Sequence, residues 1–288
     1  MEGVGEMARR SRMEQKVYQT GGSPWRFLSY GMIFVSCMLL ISGLFGPGSA
    51  PADLTVVPSF TPAPTVVADV FDETPASRQI TVDSGKWYAI QLGIYGSADS
   101  ADAQAQAYKQ RGAAGYVWQE DERYRVLAAV YPLEEDAKAV RQQLREGQNI
   151  DSYVYAIEST TLTLRLTGMA GQLDALEAGF EAMKRIPQGI QELSVSLDRQ
   201  EADVQKVKEG LQKQMEEMSA LCRLFRTRFT QPYHHVVLSQ LELLESWQER
   251  LETLAQSDLS AVAMAGALKH ETLRLIQTAQ SYYQSIAQ

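Results

Sequence analysis

One sequence pattern occurs twice in this chain, and this internal repeat constrains the fold more than any other feature. WYAIQLGIYGSADSADA begins at residue 87, and RYRVLAAVYPLEEDAKA begins at residue 123. Tyr88 aligns with Tyr124, and Tyr95 aligns with Tyr131. Each copy predicts a strand, a turn, a helix of about 12 residues and a second strand. Two copies give a ferredoxin-like α+β unit, βαββαβ, whose antiparallel four-stranded sheet carries both helices on one face and leaves the other face open.

Apolar alternation along the strands predicts which side chains face the helices. Ile90 and Leu92 alternate with Ala89 and Gln91, so we expect Gln91 on the open face. The same parity sends further aromatic and basic side chains to that face: Arg125, Tyr116, Trp118, Tyr153 and Tyr155, with Trp87 either beside them or closing the edge of the sheet. A slip of one residue would reverse this assignment and make the aromatic side chains core residues under the helices.

Charge argues against a nucleic-acid partner. The 288-residue chain has a net charge of −8, and residues 84–160 contain 8 Lys and Arg against 11 Asp and Glu. Nucleic-acid binding draws most of its affinity from basic residues that neutralise phosphates. An RNA-recognition module shares the βαββαβ order and an aromatic open face, but its basic charge and its RNP pattern are missing here.

The apolar segment 27–45 has 19 residues and no charged side chain. At 1.5 Å per residue it would span roughly 28 Å, close to the thickness of a bilayer core. Five Lys and Arg precede it, and none follows it before Arg78. We therefore expect a single transmembrane helix with residues 1–26 in the cytoplasm and the later domains outside the cell. A signal peptide cleaved near Ala50–Ala52 is the alternative reading.

Residues 46–83 predict a disordered tether. Prolines recur through this segment, with Ser, Thr and Ala between them. Such a composition cannot bury enough apolar surface to fold and favours extended conformations. We expect the tether to hold the following domain away from the membrane.

Residues 161–288 predict a helical bundle. Leu162, Leu164 and Leu166 first alternate as in a short strand or an extended connection. From about residue 169 the apolar spacing becomes helical, with breaks expected at Pro187–Gly189, Gln231–Pro232 and Ser257–Asp258. These breaks predict about four helices, packed as a small antiparallel bundle. Residues 169–285 could also bind a protein partner or a second copy of the chain.

The helical part carries no recognisable catalytic, metal or cofactor motif. His234 and His235 are adjacent and would point apart on a helix, and Cys222 lies in an apolar stripe as a small core residue. We therefore predict a protein that is not an enzyme and needs no cofactor. A helical hydrolase or an amidase regulator is the alternative, and it would need one positioned carboxylate from a set of four candidates: Glu177, Glu181, Glu192 and Glu201.

The repeated segment resembles the sporulation-related repeat, or SPOR, domain across residues 84–160. The family pattern is an aromatic residue, Val-Gln, a hydrophobic residue and Gly-Ser-Phe, followed later by Tyr-Arg-Val and Gly-Pro-Phe. Here the first motif reads YAIQLGIY from Tyr88, and the second reads YRVLAAVY from Tyr124. Ile94 replaces the family's Ser, and Ala129-Val130 replace its Gly-Pro.

The resemblance implies binding to peptidoglycan, specifically to glycan strands whose stem peptides were removed during division or sporulation. In this family the ligand lies on the uncovered face of the sheet. A sugar ligand needs aromatic rings beside amide and guanidinium groups, so the predicted glycan-binding residues are those assigned to that face: Gln91, Arg125, Trp118, Tyr116, Tyr153, Tyr155 and Trp87. The Ile94 substitution changes a position of the family's binding surface.

Overall fold

The computed structural model describes residues 74–158 and 160–287. The predicted cytoplasmic tail 1–26, the predicted transmembrane helix 27–45 and the tether up to residue 73 lie outside the described residues. Within these ranges no helix is both long enough and apolar enough to cross a membrane. The elements in chain order are β1 (Pro75–Asp83), β2 (Trp87–Tyr95), α1 (Ala98–Lys109), β3 (Tyr116–Glu120), β4 (Arg123–Tyr131), α2 (Glu134–Gln148), β5 (Tyr153–Ile157), β6 (Thr161–Met169), α3 (Ala170–Asp198), α4 (Val204–Arg228), α5 (His235–Gln256) and α6 (Ala261–Ile286).

The predicted four-stranded antiparallel sheet is confirmed. Its strand order is β3-β4-β2-β5, and α1 and α2 pack on one face. Between β2 and β4 the register passes from Ile90–Ala129 to Gln91–Leu127, so Ala128 forms an irregularity. Such a bulge twists the sheet locally, yet the paired residues on either side keep their faces.

A two-stranded ribbon joins this sheet to the helical part. β1 pairs antiparallel with β6 from Pro75–Met169 to Asp83–Thr161. The expectation that residues up to 83 belong to a disordered tether is therefore wrong for residues 75–83. Ile80 and Val82, which alternate along this segment, pack on the bundle core, and Val82 is buried there.

The ribbon also changes the order of the domains. The sheet with α1 and α2 is inserted between the two strands of the ribbon, instead of following a tether and preceding a separate bundle. At the entrance of the insertion the Ser84 amide donates to the Thr160 carbonyl at 3.1 Å, and the Thr160 amide donates to Ser84 Oγ at 2.9 Å. Two chain connections, not one, thus attach the inserted unit to the rest of the protein.

The C-terminal part is helical, as predicted, and its described residues form four helices around one apolar core. The expected breaks near Pro232 and Ser257 are the loops before α5 and after it. The expected break at Pro187 is wrong, because α3 continues through it. A proline inside a helix costs about 3 kcal/mol, and the neighbouring Ile186 and Ile190 are fully buried in the core, which offsets that cost.

Candidate ligand-binding face

The structure places all seven predicted site residues on one face of the sheet, opposite α1 and α2. Paired strands show this directly: Trp118 lies opposite Arg125, Gln91 opposite Tyr153, and Ala89 opposite Tyr155. The residues between them belong to the clusters under the two helices. Strand parity read from the sequence therefore agrees with the orientation in the structure.

The expectation that this face is uncovered is wrong for one half of it. Helix α6 packs Leu273 and Ile276 against the sheet, and both side chains are fully buried. The sheet residues in the same apolar cluster include Trp87, Ala89, Tyr116, Trp118, Leu127, Val130 and Ile157. Trp87 is 2% exposed and Tyr116 is 7% exposed, so neither can serve as a free platform for a ligand.

Polar contacts fix α6 in register on the sheet. Tyr116 Oη donates to Gln277 Oε1 at 2.5 Å, and Gln280 Nε2 donates to the Glu158 carbonyl at 2.8 Å. Lys269 Nζ donates to the Gly112 carbonyl at 3.0 Å and lies 2.8 Å from an Asp198 carboxylate oxygen. Because Lys269 is almost completely buried, these partners are needed to offset the cost of removing its charge from water.

Close approach of α6 also depends on a glycine. A Cβ atom added at Gly266 would lie 3.1 Å from the Ala113 carbonyl oxygen, which is tighter than ordinary van der Waals contact. Any larger side chain at Gly266 would push α6 away from the loop between α1 and β3. This glycine therefore allows the backbone of α6 to lie against the backbone of the inserted unit.

His270 completes the contact between α6 and the sheet as a neutral group. Its Nδ1 lies 2.9 Å from the Ala114 carbonyl, to which it can donate, and Arg274 Nη2 lies 3.0 Å from its Nε2, to which it can donate. Burial above all, together with the nearby charges of Lys109, Arg274 and Arg250, lowers the pKa of His270 to about 4, although the hydrogen bond to the Ala114 carbonyl acts in the opposite direction. The site is thus built for an uncharged imidazole.

The other half of the face holds a polar cluster around Arg125. Arg125 donates from Nε and Nη2 to one Glu120 carboxylate oxygen at 3.0 and 2.7 Å, and from Nη1 to Gln91 Oε1 at 2.7 Å. Tyr155 Oη donates to the other Glu120 oxygen at 3.0 Å. The guanidinium also lies over the Tyr155 ring, 4.5 Å from its centroid. The planar guanidinium is thereby held in one orientation.

Two pKa values reflect this cluster. Hydrogen bonds from Arg125 hold the pKa of Glu120 below its usual value. Burial, and then the hydrogen bond to Glu120, raise the pKa of Tyr155 to about 12. At neutral pH the cluster therefore contains an ionised carboxylate, a guanidinium and a neutral phenol, and the charges of Glu120 and Arg125 cancel.

The predicted residues of this half differ in accessibility. Tyr153 is 63% exposed, and Ile94, which replaces the small residue of the family pattern, is 45% exposed. Gln91 is only 6% exposed, so it orients Arg125 from below instead of offering its amide to a ligand. The open half thus combines exposed apolar side chains with a charged, hydrogen-bonding centre, which suits a ligand with apolar faces and many hydroxyl groups.

Glu120 is the residue of this cluster that sequence reasoning missed. It pairs with Arg123 beside the Asp121–Glu122 turn. In antiparallel strands, diagonal neighbours lie within reach of long side chains. The acid–base pattern around the β3–β4 hairpin was therefore the available signal for an ion pair with Arg125.

The four acidic candidates of the helical part are solvated or paired. Glu181, Glu192 and Glu201 are exposed, and Glu177 lies 3.1 Å from Arg78 Nη1. Within residues 74–158 and 160–287, no group of three or more His, Cys, Asp or Glu side chains could hold a metal ion. Cys222 is buried, and burial raises the pKa of its thiol to about 11.

Comparison with known proteins identifies the inserted unit. Residues 84–156, about a quarter of the chain, match the family model of the SPOR domain. No curated protein and no solved structure matches the chain. The unit that lies between the two strands of the ribbon is therefore a SPOR domain, a member of a family of non-catalytic domains that bind the glycan strands of peptidoglycan.

Proposed function

We propose that this protein is a membrane-anchored, non-enzymatic wall-binding protein that its SPOR domain directs to glycan strands without stem peptides during cell division or sporulation. The match of residues 84–156 to the SPOR domain carries this proposal. The open half of the sheet face supports it, because it presents an exposed aromatic side chain beside a fixed guanidinium and carboxylate.

The chemistry of that half fits an uncovered sugar chain. The exposed ring of Tyr153 can pack against the apolar face of a sugar ring, while Arg125 and Glu120 can donate to and accept from hydroxyl and acetamido groups. Because the charges of this pair cancel, binding depends on hydrogen-bond geometry more than on net attraction. A stem peptide would hinder close contact with the sheet.

The anchor assigned to residues 27–45 and the tether, now confined to residues 46–73, lead into β1. Since β1 packs on the helical part through Val82, the proposed anchor is connected first to the ribbon and the bundle, and only through them to the SPOR domain. The order of anchor, tether and SPOR domain is similar to that of stage II sporulation protein B. We propose a single-pass orientation with the SPOR domain outside the cell.

The helical part serves in this proposal as a scaffold that positions the SPOR domain and offers surface to a protein partner. The alternative, a wall hydrolase or an amidase regulator, requires a carboxylate desolvated in a cleft. The four acidic candidates are exposed or ion-paired, which favours the scaffold.

Cosedimentation with purified sacculi tests the proposal. The full chain, kept in mild detergent because of its apolar segment, is mixed with intact sacculi and with sacculi stripped by an amidase. We expect enrichment on the stripped wall. Removal of a charged hydrogen-bonding group in Arg125→Ala should weaken binding roughly tenfold to a hundredfold.

Two further variants make the result specific. Arg145→Ala removes the same charge from an exposed position of α2, on the opposite side of the sheet, and should bind like the unmodified chain. Tyr153→Ala changes an exposed side chain and should weaken binding without loss of folding. Equal recovery of the protein with and without stripped wall would contradict the proposed function.

A further inference from the structure

Helix α6 divides the binding face along the direction of its strands. The covered half contains the first residues of β2 and β3 and the last residues of β4 and β5: Trp87, Tyr116, Val130 and Ile157. The open half contains the opposite ends of the same four strands: Ile94, Glu120, Arg125 and Tyr153. The boundary is oblique to the strands, because the paired row Tyr116–Leu127–Gln91–Tyr153 passes from a 7% exposed side chain on β3 to a 63% exposed side chain on β5. Trp118 is also buried, although it lies opposite Arg125.

This boundary leaves an open strip that crosses all four strands obliquely. From Gln91 to Tyr95 the open part of β2 extends only about 13 Å, at roughly 3.3 Å per residue. Across the sheet, all four strands contribute a residue to the open half, over about 14 Å at roughly 4.8 Å between strands. A polymer lying along β2 would meet α6, and a polymer lying straight across the paired residues would meet the buried Tyr116 or Trp118 on β3. A polymer that crosses the strands obliquely, from Tyr153 on β5 to Glu120 on β3, stays on the open part of the face.

We infer that a glycan strand crosses the four strands of the SPOR sheet at their open ends, from Tyr153 on β5 over Ile94 and Arg125 to Glu120 on β3, and that α6 sets this direction. This orientation rests on the proposed function, because it concerns the same site and the same ligand. Because α6 blocks the strand direction but leaves both ends of the crossing path open, the site binds the interior of a glycan chain in preference to its end.

The contact of α6 with the sheet is too well fixed to be displaced by the ligand. Its centre is apolar, with Leu273 and Ile276 fully buried, and its rim is held by the Tyr116–Gln277 hydrogen bond. Lys269 binds both Asp198 of α3 and the Gly112 carbonyl of the SPOR domain. Large apolar interfaces between domains oppose relative motion.

Partial cleavage of the stripped wall tests the direction. Stripped sacculi are cut to increasing degrees with a muramidase, so that chain ends increase while the mass of glycan stays constant. The saturating amount of the full chain bound per mass of wall is then measured. A glycan that crosses the strands predicts an unchanged capacity until the fragments become short, and capacity that rises in proportion to chain ends would overturn the inference.

Variants at the two edges and at the boundary give a second readout. Tyr153→Ala on β5 and Glu120→Gln on β3 should each weaken binding by about fivefold or more, because each removes a contact of the size of one hydrogen bond. Gln277→Ala loosens the rim of α6 and should leave the affinity unchanged. A higher affinity of Gln277→Ala would show that glycan and α6 compete, which overturns the inference.

The outcomes separate the inference from the proposed function. Binding to stripped wall with a capacity that follows chain ends, or with no loss in one of the two edge variants, contradicts the crossing direction alone. Absence of binding to stripped wall contradicts both.

Discussion

The covered and open halves of the SPOR sheet face are built from the same four strands, yet only one of them is buried by α6. In the covered half, Trp87, Ala89 and Val130 pack against Leu273 and Ile276 of α6 in a buried apolar contact. In the open half, Arg125, Glu120 and Tyr155 form a hydrogen-bonded cluster that reaches solvent. One aromatic side chain is therefore a core residue and another is exposed to solvent, although both follow the same strand parity.

The difference shows that the face of a strand does not determine accessibility. Trp87 and Tyr153 were both expected to contact a glycan, but one is 2% exposed and the other 63%. What separates them is a helix from a distant part of the chain.

The largest effect is expected from removing one aromatic side chain in each half. Trp87→Ala should lower the free energy of unfolding by about 3–5 kcal/mol, because it leaves a cavity between the sheet and α6. Tyr153→Ala should change it by no more than about 0.5 kcal/mol and should lower only the affinity for stripped wall. Urea unfolding measures the stability of both variants, and cosedimentation measures their affinity for stripped wall. Similar losses of stability in both variants would show that the two halves of the face do not differ in burial.

The apolar contact can also be tested from the side of α6. Leu273→Ala should lower the free energy of unfolding by about 2–5 kcal/mol, since the side chain is fully buried against the sheet. Leu238→Ala removes the same side chain from a 41% exposed position of α5 and is the control. An effect of Leu273→Ala as small as that of the control would show that α6 is not held on the sheet.

The pH dependence of stability should report the docking of α6. Because His270 has a pKa of about 4 in the folded protein and an ordinary pKa of 6.5, the unfolded chain binds the proton more readily. Stability from this group is fully present above pH 6.5 and is lost as the pH falls, by about 2 kcal/mol at pH 5 and about 3 kcal/mol at pH 4.

Urea unfolding at several pH values measures this contribution. His270→Gln keeps a donor and an acceptor but does not titrate, so its stability should fall less between pH 6.5 and pH 4. His235→Gln, at an exposed position at the start of α5, should behave like the unmodified chain. If the free energy of unfolding of His270→Gln and of the unmodified chain fell equally with pH, His270 would not be a buried neutral imidazole.

The smallest effect is expected in the open cluster. Tyr155→Phe removes only the hydroxyl that donates to Glu120 and keeps the ring under the guanidinium. Stability should fall by about 0.5–1.5 kcal/mol or less, and wall affinity should fall severalfold if Glu120 needs this partner to stay oriented. Combining Tyr155→Phe with Glu120→Gln in a double-mutant cycle measures their coupling, and strictly additive losses would show that the two groups act independently.

Local patterns predicted the sheet, its faces and most of the helix boundaries. The repeat indicated βαββαβ because each copy carries its own strand and helix periodicity within a short segment. The alternation around Ile90 and Val126 placed Gln91 and Arg125 correctly, because a strand has only two faces. The hairpin next to Glu120 contained a charge pattern that would also have indicated the ion pair.

Contacts between distant parts of the chain could not be read in this way. Pairing of residues 75–83 with residues 161–169 leaves only a weak alternation in each strand, and the first of these strands lies next to a proline-rich segment. The break expected at Pro187 ignored the burial of Ile186 and Ile190 on either side of it. In each case tertiary packing outweighed a local preference.

The sequence by itself thus determined a βαββαβ sheet with Arg125 and its aromatic neighbours on one face, because strand periodicity is a local property, and its motifs indicated the SPOR family. Only the tertiary structure decided that α6 covers half of that face and leaves the Arg125–Glu120 cluster as its accessible part. The amphipathic stripe of α6 shows that one side of the helix must be buried, but many apolar surfaces could bury it. Shape, the close approach at Gly266 and the hydrogen bond between Tyr116 and Gln277 select the sheet.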